Sequence, residues 1–288
     1  MKNIKNYILK IVFLLSVTDE YSEDFEEMKS FKLEYIKIAN TIYNMMNNKE
    51  NPFKVYDKNL DDYRKVEYKD IVILMHGIYS KLDNLEYIEK KLEENGYSGV
   101  NIQYPTTKDE IQDIAKKYIE PEIEKKIKIL NEINKKRVSE NKKKLKINFI
   151  VHSMGSVVLR YQLQENTFEE LGKVVFLSPP SHGSSMAGNF FTELLSPYLG
   201  KAIKQINVQK DSFVNHLKEP DYNCYVMVGN RANNPLYSVI TDGESDGAVP
   251  VKSAKLENCK FKIIDGESHS SILKSDKVMQ EILKYFKE

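Results

Sequence analysis

The chain has 288 residues, enough for one large domain with additions and for a sizeable core. Its 43 Lys and Arg stand against 42 Asp and Glu, a net charge of +1, which disfavours nucleic-acid binding because no basic field is available to neutralise a phosphate backbone. Hydrophobic residues make up 41% of the chain and aromatics 10%, which excludes general disorder.

Met1 to Val17 carries Lys2, Lys5 and Lys10 ahead of the apolar run Ile11 to Val17. The run falls short of the roughly 20 residues a spanning helix needs, and Thr18, Asp19 and Glu20 close it with no small-x-small cleavage site. Ile4, Ile8, Ile11, Val12 and Leu15 share one helical face. A helix packed on its own domain, a peripheral membrane contact through residues 1–17 and an export signal all fit that pattern. A cytoplasmic location is favoured, with surface anchoring and export as the alternatives. Met28, Phe31, Tyr35, Ile38, Ile42 and Met45 step by three and four, a second amphipathic helix that ends at Asn51-Pro52. Residues 1–66 are therefore expected to form an N-terminal helical extension, and 67–288 the main domain.

From there short β-branched runs alternate with helical patterns. Asp70 to Met75 is a near-continuous apolar run, as in a parallel strand buried on both faces. Leu85, Ile88 and Leu92 mark a helix closed by Gly96, and Val100 to Tyr104 the next strand. Lys108 to about Lys136 reads as a helix kinked at Pro121, followed by a solvated Lys-rich patch up to Lys146. Further strands are expected at Ile147 to Val151, Lys173 to Leu177, Cys224 to Val228 and Phe261 to Ile264, with a last helix carrying Val278, Met279, Ile282, Leu283 and Phe286. Repeated βα units predict a mostly parallel sheet with helices on both faces and ligands beyond the carboxyl ends of its strands. Cys224 and Cys259 match no metal-ligand spacing and read as reduced thiols.

The chemistry-bearing residues fall at those strand ends. Val151-His152-Ser153-Met154-Gly155 lies where a strand passes into a helix, the place for a nucleophile elbow that exposes a serine beside a helix N-terminus. His76-Gly77-Ile78 ends an earlier strand, so the backbone N–H groups of Ile78 and Met154 are the candidate oxyanion donors. Of the five histidines, His76 belongs to the oxyanion loop, His152 is expected to point away from its neighbour, and His182 and His216 precede every plausible acid. His269, between the last strand and the last helix, remains as the base. Asp246, in an Asp-Gly turn, is the favoured acid, with Asp242 and Glu244 as competitors. The order Ser, acid, His is that of α/β-hydrolases.

With these residues in hand, the chain resembles bacterial α/β-hydrolases of the esterase and lipase type. The resemblance rests on Ile73 to Ile78 (ILMHGI), Ile147 to Ser156 (INFIVHSMGS), Val174 to Ser185 (VVFLSPPSHGSS), Ser245 to Val251 (SDGAVPV) and Gly266 to Ser270 (GESHS). Val151 and Ser156 depart from it, standing where many members have glycine. It implies an α/β-hydrolase fold, Ser153 as nucleophile, Asp246 and His269 as its relay, and Ile78 and Met154 as oxyanion donors. The stretch 184–222, rich in Phe190, Phe191, Leu194, Leu195, Tyr198 and Leu199, would form a small cap. The expected activity is hydrolysis of small-molecule or lipid carboxylic esters through an acyl-enzyme, with no metal or organic cofactor. Amidase, thioesterase, acyltransferase and non-catalytic binding module stay open as alternatives, and the sequence leaves the oligomeric state undetermined.

Overall fold

The computed structural model describes residues 69–78, 80, 84–184, 200–231 and 243–288. The chain divides into two units, Met1–Asn51 and Pro52–Glu288, and all described residues belong to the second. The helices expected before residue 66, the boundary at 66/67, Asp242 and the apolar residues Phe190 to Leu199 lie outside the described residues.

Six strands, β1 (Ile71–Met75), β2 (Ser98–Ile102), β3 (Ile147–His152), β4 (Leu171–Leu177), β5 (Cys224–Gly229) and β6 (Lys260–Ile264), form one sheet in the order β2-β1-β3-β4-β5-β6. Every neighbouring pair is parallel. All five residues of β1 and all six of β3 are buried, as in strands covered on both sides; β1 is apolar throughout, and β3 is apolar apart from Asn148 and His152. On one face Val72, Leu74, Ile150, Val175, Leu177 and Met227 pack against α1 (Glu86–Glu94) and the last helix, Asp276–Lys287. The alternate side chains, among them Ile73, Phe149 and Val151, are equally buried on the other face.

The helices depart from expectation in one place. Between residues 108 and 139 the chain runs as α2 (Ile111–Ile114), a π-helical turn (Ala115–Ile119) and α3 (Glu120–Ser139). The irregularity precedes Pro121 rather than following it. Proline has no N–H to donate and its ring crowds the turn before it, and a widened turn there relieves both. β2 starts two residues earlier than expected and ends at Ile102. Ser98 and Gly99 carry no strand preference of their own; pairing with Ile71 and Val72 recruits them, while Tyr104 leaves the sheet to stack on His76 at 4.4 Å.

α4 (Met154–Glu165) leaves β3 without a linker beyond Ser153 and is buried along most of its length. Its Arg160 is 3% exposed and donates to the carbonyls of Ser181, Leu217 and Lys218, which ties the end of the cap-like stretch to the core. The described part of that stretch holds α5 (Lys201–Gln205) and a 3-10 turn at Phe213–His216. Two more helices complete the described chain: α6 (Val251–Ala254) and α7 (Asp276–Lys287).

The cysteines are not free thiols. Cys224 and Cys259 form a disulfide with Cα atoms 4.8 Å apart. Tyr225 pairs with Lys260 across β5 and β6, so the preceding residues, Cys224 and Cys259, meet at the spacing of neighbouring strands. Their separation of 35 residues in the chain carried no sign of that register.

Candidate active site

Ser153 sits at the junction of β3 and α4 with φ 52° and ψ −127°, a region L residues rarely adopt. The fold holds it there: its N–H donates to Leu177 on β4 at 3.0 Å and its carbonyl accepts from Ser156 at 2.9 Å. The turn also needs Gly155, because a Cβ there would lie 2.7 Å from the His76 carbonyl oxygen and 2.9 Å from the Tyr104 hydroxyl. Val151 is still a strand residue, paired with Met75 and Phe176, and β-branched side chains suit a strand.

The His269 Nε2 is 3.0 Å from the Ser153 Oγ, and its Nδ1 is 2.9 Å from Oδ2 of Asp246. A carboxylate only accepts, so Nδ1 carries the proton and Nε2 is the bare nitrogen that accepts from the serine hydroxyl. Asp246 is 1% exposed. Its Oδ1 accepts the N–H groups of Ala248 and Val249 at 2.9 and 2.8 Å. Burial on its own would raise this carboxyl, but the facing His269, helped by the Val249 N–H, outweighs it and holds it below the ordinary carboxylate range. The two loops are also joined through the backbone, where His269 N–H donates to the Asp246 carbonyl at 2.9 Å. Glu244, a competitor for the acid, instead accepts from Asn230 at 2.7 Å. Asn230 donates to Asp265 as well and accepts from Gly266 N–H, so it braces the loop that leads to His269. No local pattern distinguishes such an asparagine from any other loop residue.

The loop after β1 reaches the same point. A Cβ on Gly77 would fall 2.8 Å from the Ser153 Cβ and 3.4 Å from its Oγ, so only glycine lets this backbone pass beside the hydroxyl. His76 is fully buried, and burial pushes its imidazole down to about 4, so it is neutral near pH 7. Its Nδ1 donates to the Gly77 carbonyl at 2.9 Å while Nε2 accepts from Tyr104 N–H at 3.4 Å. The peptide plane is rigid and trans, so fixing the Gly77 carbonyl sends the Ile78 N–H in the opposite direction. Met154 is buried at the first position of α4, where a helix leaves its N–H groups without intrahelical acceptors.

His152 lies against His269. Its Nε2 is 2.8 Å from the His269 carbonyl oxygen, and the two rings lie 4.7 Å apart. His182 and His216 bond the backbone carbonyls of Lys255 and Ser212 and take no part in this cluster. Among the described residues no three His, Cys, Asp or Glu side chains converge as metal ligands would.

Comparison with known proteins matches residues 65–231 to the family described as "Putative serine esterase (DUF676)", more than half of the chain. Among solved structures, the mature lipase BlEst2 of Bacillus licheniformis superposes with a TM-score of 0.57 at 20% identity, over 82% of this chain and 96% of that one. The phospholipase PlaB of Legionella pneumophila gives 0.55 at 17% identity, over 76% and 60%. A metagenomic carboxyl esterase, MGS0156, gives 0.54 at 14% identity, over 76% of each chain. These likenesses establish the α/β-hydrolase fold. A short stretch of 89 residues, 31% of this chain, is 34% identical to an ATP-dependent helicase/nuclease protein of Clostridium perfringens, and spans 6% of that protein's length.

Proposed function

The chain belongs to the DUF676 serine esterase family, and on that premise we propose that it hydrolyses carboxylic esters, of lipids or smaller molecules, through an acyl-enzyme on Ser153. The observation that carries this reading is the unbroken relay from Asp246 through His269 to the Ser153 hydroxyl, with spacings of 2.9 and 3.0 Å. His269 takes the serine proton as Oγ bonds to the ester carbon, and Asp246 stabilises the imidazolium that results. The carbonyl oxygen becomes an oxyanion facing the N–H groups of Ile78 and Met154, each worth on the order of 3 kcal/mol to the transition state. His269 then returns its proton to the departing alcohol oxygen. Water, deprotonated in turn by His269, adds to the acyl carbon and releases the acid and the free serine.

The lipase and phospholipase named among the fold relatives support lipid esters as the substrate class, and the apolar side chains between Phe190 and Leu199 would suit an acyl chain. The test is turnover of p-nitrophenyl esters from acetate to palmitate beside Ser153→Ala. Wild-type turnover with a loss of several orders of magnitude in the variant is expected, since only binding and the oxyanion donors remain. A preference for long chains would favour lipid substrates. Equal inertness of both proteins on every ester overturns the reading in favour of amidase or acyltransferase chemistry or of a non-catalytic binding module.

A further inference from the structure

Besides its bond to the Ser153 hydroxyl, three hydrogen bonds hold His269, and one of them comes from the residue next to the serine. His269 donates through Nδ1 and through its backbone N–H to Asp246, and its carbonyl oxygen lies 2.8 Å from Nε2 of His152. A carbonyl can only accept, so Nε2 of His152 carries a proton and Nδ1 is a bare acceptor. That Nδ1 is buried without a hydrogen-bond partner among the described residues and would lie 3.2 Å from a Cβ on Gly77. An unmade buried acceptor is unfavourable, and a phenyl ring would fill much the same space without one. Packing therefore does not account for an imidazole here, whereas the Nε2–H does.

We infer that His152 is a positioning residue of the proposed reaction: its Nε2–H grips the His269 carbonyl and so sets where the base stands over Ser153. The inference rests on the serine hydrolase reading above. Because His152 and Ser153 are consecutive, the nucleophile and the base are linked across two residues of β3 and its turn rather than through the rest of the fold. A relay set by such a link tolerates little displacement, since a shift of about 1 Å in a reacting group costs on the order of a hundredfold in rate. Burial, assisted by the neighbouring His269, pushes the His152 imidazole down to about 3. It therefore adds no second positive charge beside His269 when that ring takes the serine proton.

The experiment compares wild type with His152→Phe, which keeps the ring and loses the donor, with His152→Gln, whose amide nitrogen reaches the position of Nε2, and with His152→Asn, whose amide stops near Nδ1. Three quantities are read: kcat and KM on the best p-nitrophenyl ester, the rate at which a fluorophosphonate labels Ser153, and the urea midpoint. His152→Phe and His152→Asn are expected to lose about 30- to 100-fold in kcat and in labelling rate with KM within about twofold, and His152→Gln to recover to within about fivefold of wild type. A folded His152→Phe with wild-type kcat overturns the inference. If His152→Phe does not fold, the Gln and Asn pair decides, and equal kcat in those two also overturns it. A wild-type protein that neither turns over ester nor labels at Ser153 overturns the functional reading itself, and this inference with it.

Discussion

Asp246 divides its two carboxylate oxygens between separate tasks, and that division predicts what Asp246→Asn would do. Oδ1 accepts two backbone N–H groups and Oδ2 faces the Nδ1 of His269. An asparagine keeps its oxygen on the backbone donors and turns its NH2 toward His269, whose Nδ1 must then accept. The imidazole is forced into the Nε2–H tautomer, which cannot take the proton of Ser153, and kcat is expected to fall on the order of 10⁴-fold with folding intact. Stability follows from the depressed carboxyl. Because the folded-state pKa of Asp246 lies below its ordinary value, its ionised form contributes stability that is complete above about pH 4 and is lost as pH falls through the depressed value. Asparagine does not titrate, so the urea midpoint of the variant should fall less steeply below pH 4 than that of wild type; parallel curves would contradict this. Residues of this kind were legible because each occupies a local pattern: an Asp-Gly turn, a His past the last strand, a Ser at a strand-to-helix junction. The positions of His152 and of the Gly77 carbonyl were not, since both depend on which way a peptide plane turns in the assembled loops.

The disulfide belongs to the scale of elements. Cys224 opens β5 and Cys259 directly precedes β6, at the amino ends of strands whose carboxyl ends lead to Asn230 and to the His269 loop. The bridge thus fastens the last strand of the sheet at the end away from the site. Closing a loop of 35 residues removes unfolded-state entropy worth about 3–4 kcal/mol in the chain model. The double variant Cys224→Ser with Cys259→Ser, or reduction by dithiothreitol, is expected to lower Tm by about 5–10 °C and leave kcat at 25 °C near that of wild type. An unchanged Tm would mean that the thiols are reduced in the native protein; a lowered Tm with a large fall in kcat at 25 °C would mean that β6 also positions His269 through this bridge. The strands themselves were legible from β-branched runs, with ends shifted where pairing recruits neutral residues such as Ser98. The π-helical turn was not, because periodicity registers a helix but not a change in its pitch, and the disulfide was not, because register between strands is a property of the sheet.

For the whole molecule, the question is how much of the chain the proposed chemistry needs. All six strands and every proposed site residue lie in the unit from Pro52 to Glu288, and the sheet is covered by helices from that same unit. Described residues of this unit supply buried apolar side chains on both faces of β1 and β3. A chain lacking Met1–Asn51 is therefore expected to unfold in one cooperative urea transition and to keep kcat/KM on p-nitrophenyl acetate within about threefold of the full chain. Anchoring is a separate question: the amino-terminal pattern of Lys2, Lys5 and Lys10 with Ile4, Ile8, Ile11, Val12 and Leu15 is expected to hold an anionic bilayer only if the segment stands free as an amphipathic basic helix, which binds through both charge and apolar area. Sedimentation with vesicles of mixed phosphatidylcholine and phosphatidylglycerol separates the two roles. Full-length protein that sediments, beside a truncated protein that stays in solution and remains active on the soluble ester, would assign anchoring to the first unit and catalysis to the second. Both proteins staying in solution would remove anchoring, and a truncated protein that folds yet loses turnover would mean that the second unit does not suffice for the proposed chemistry.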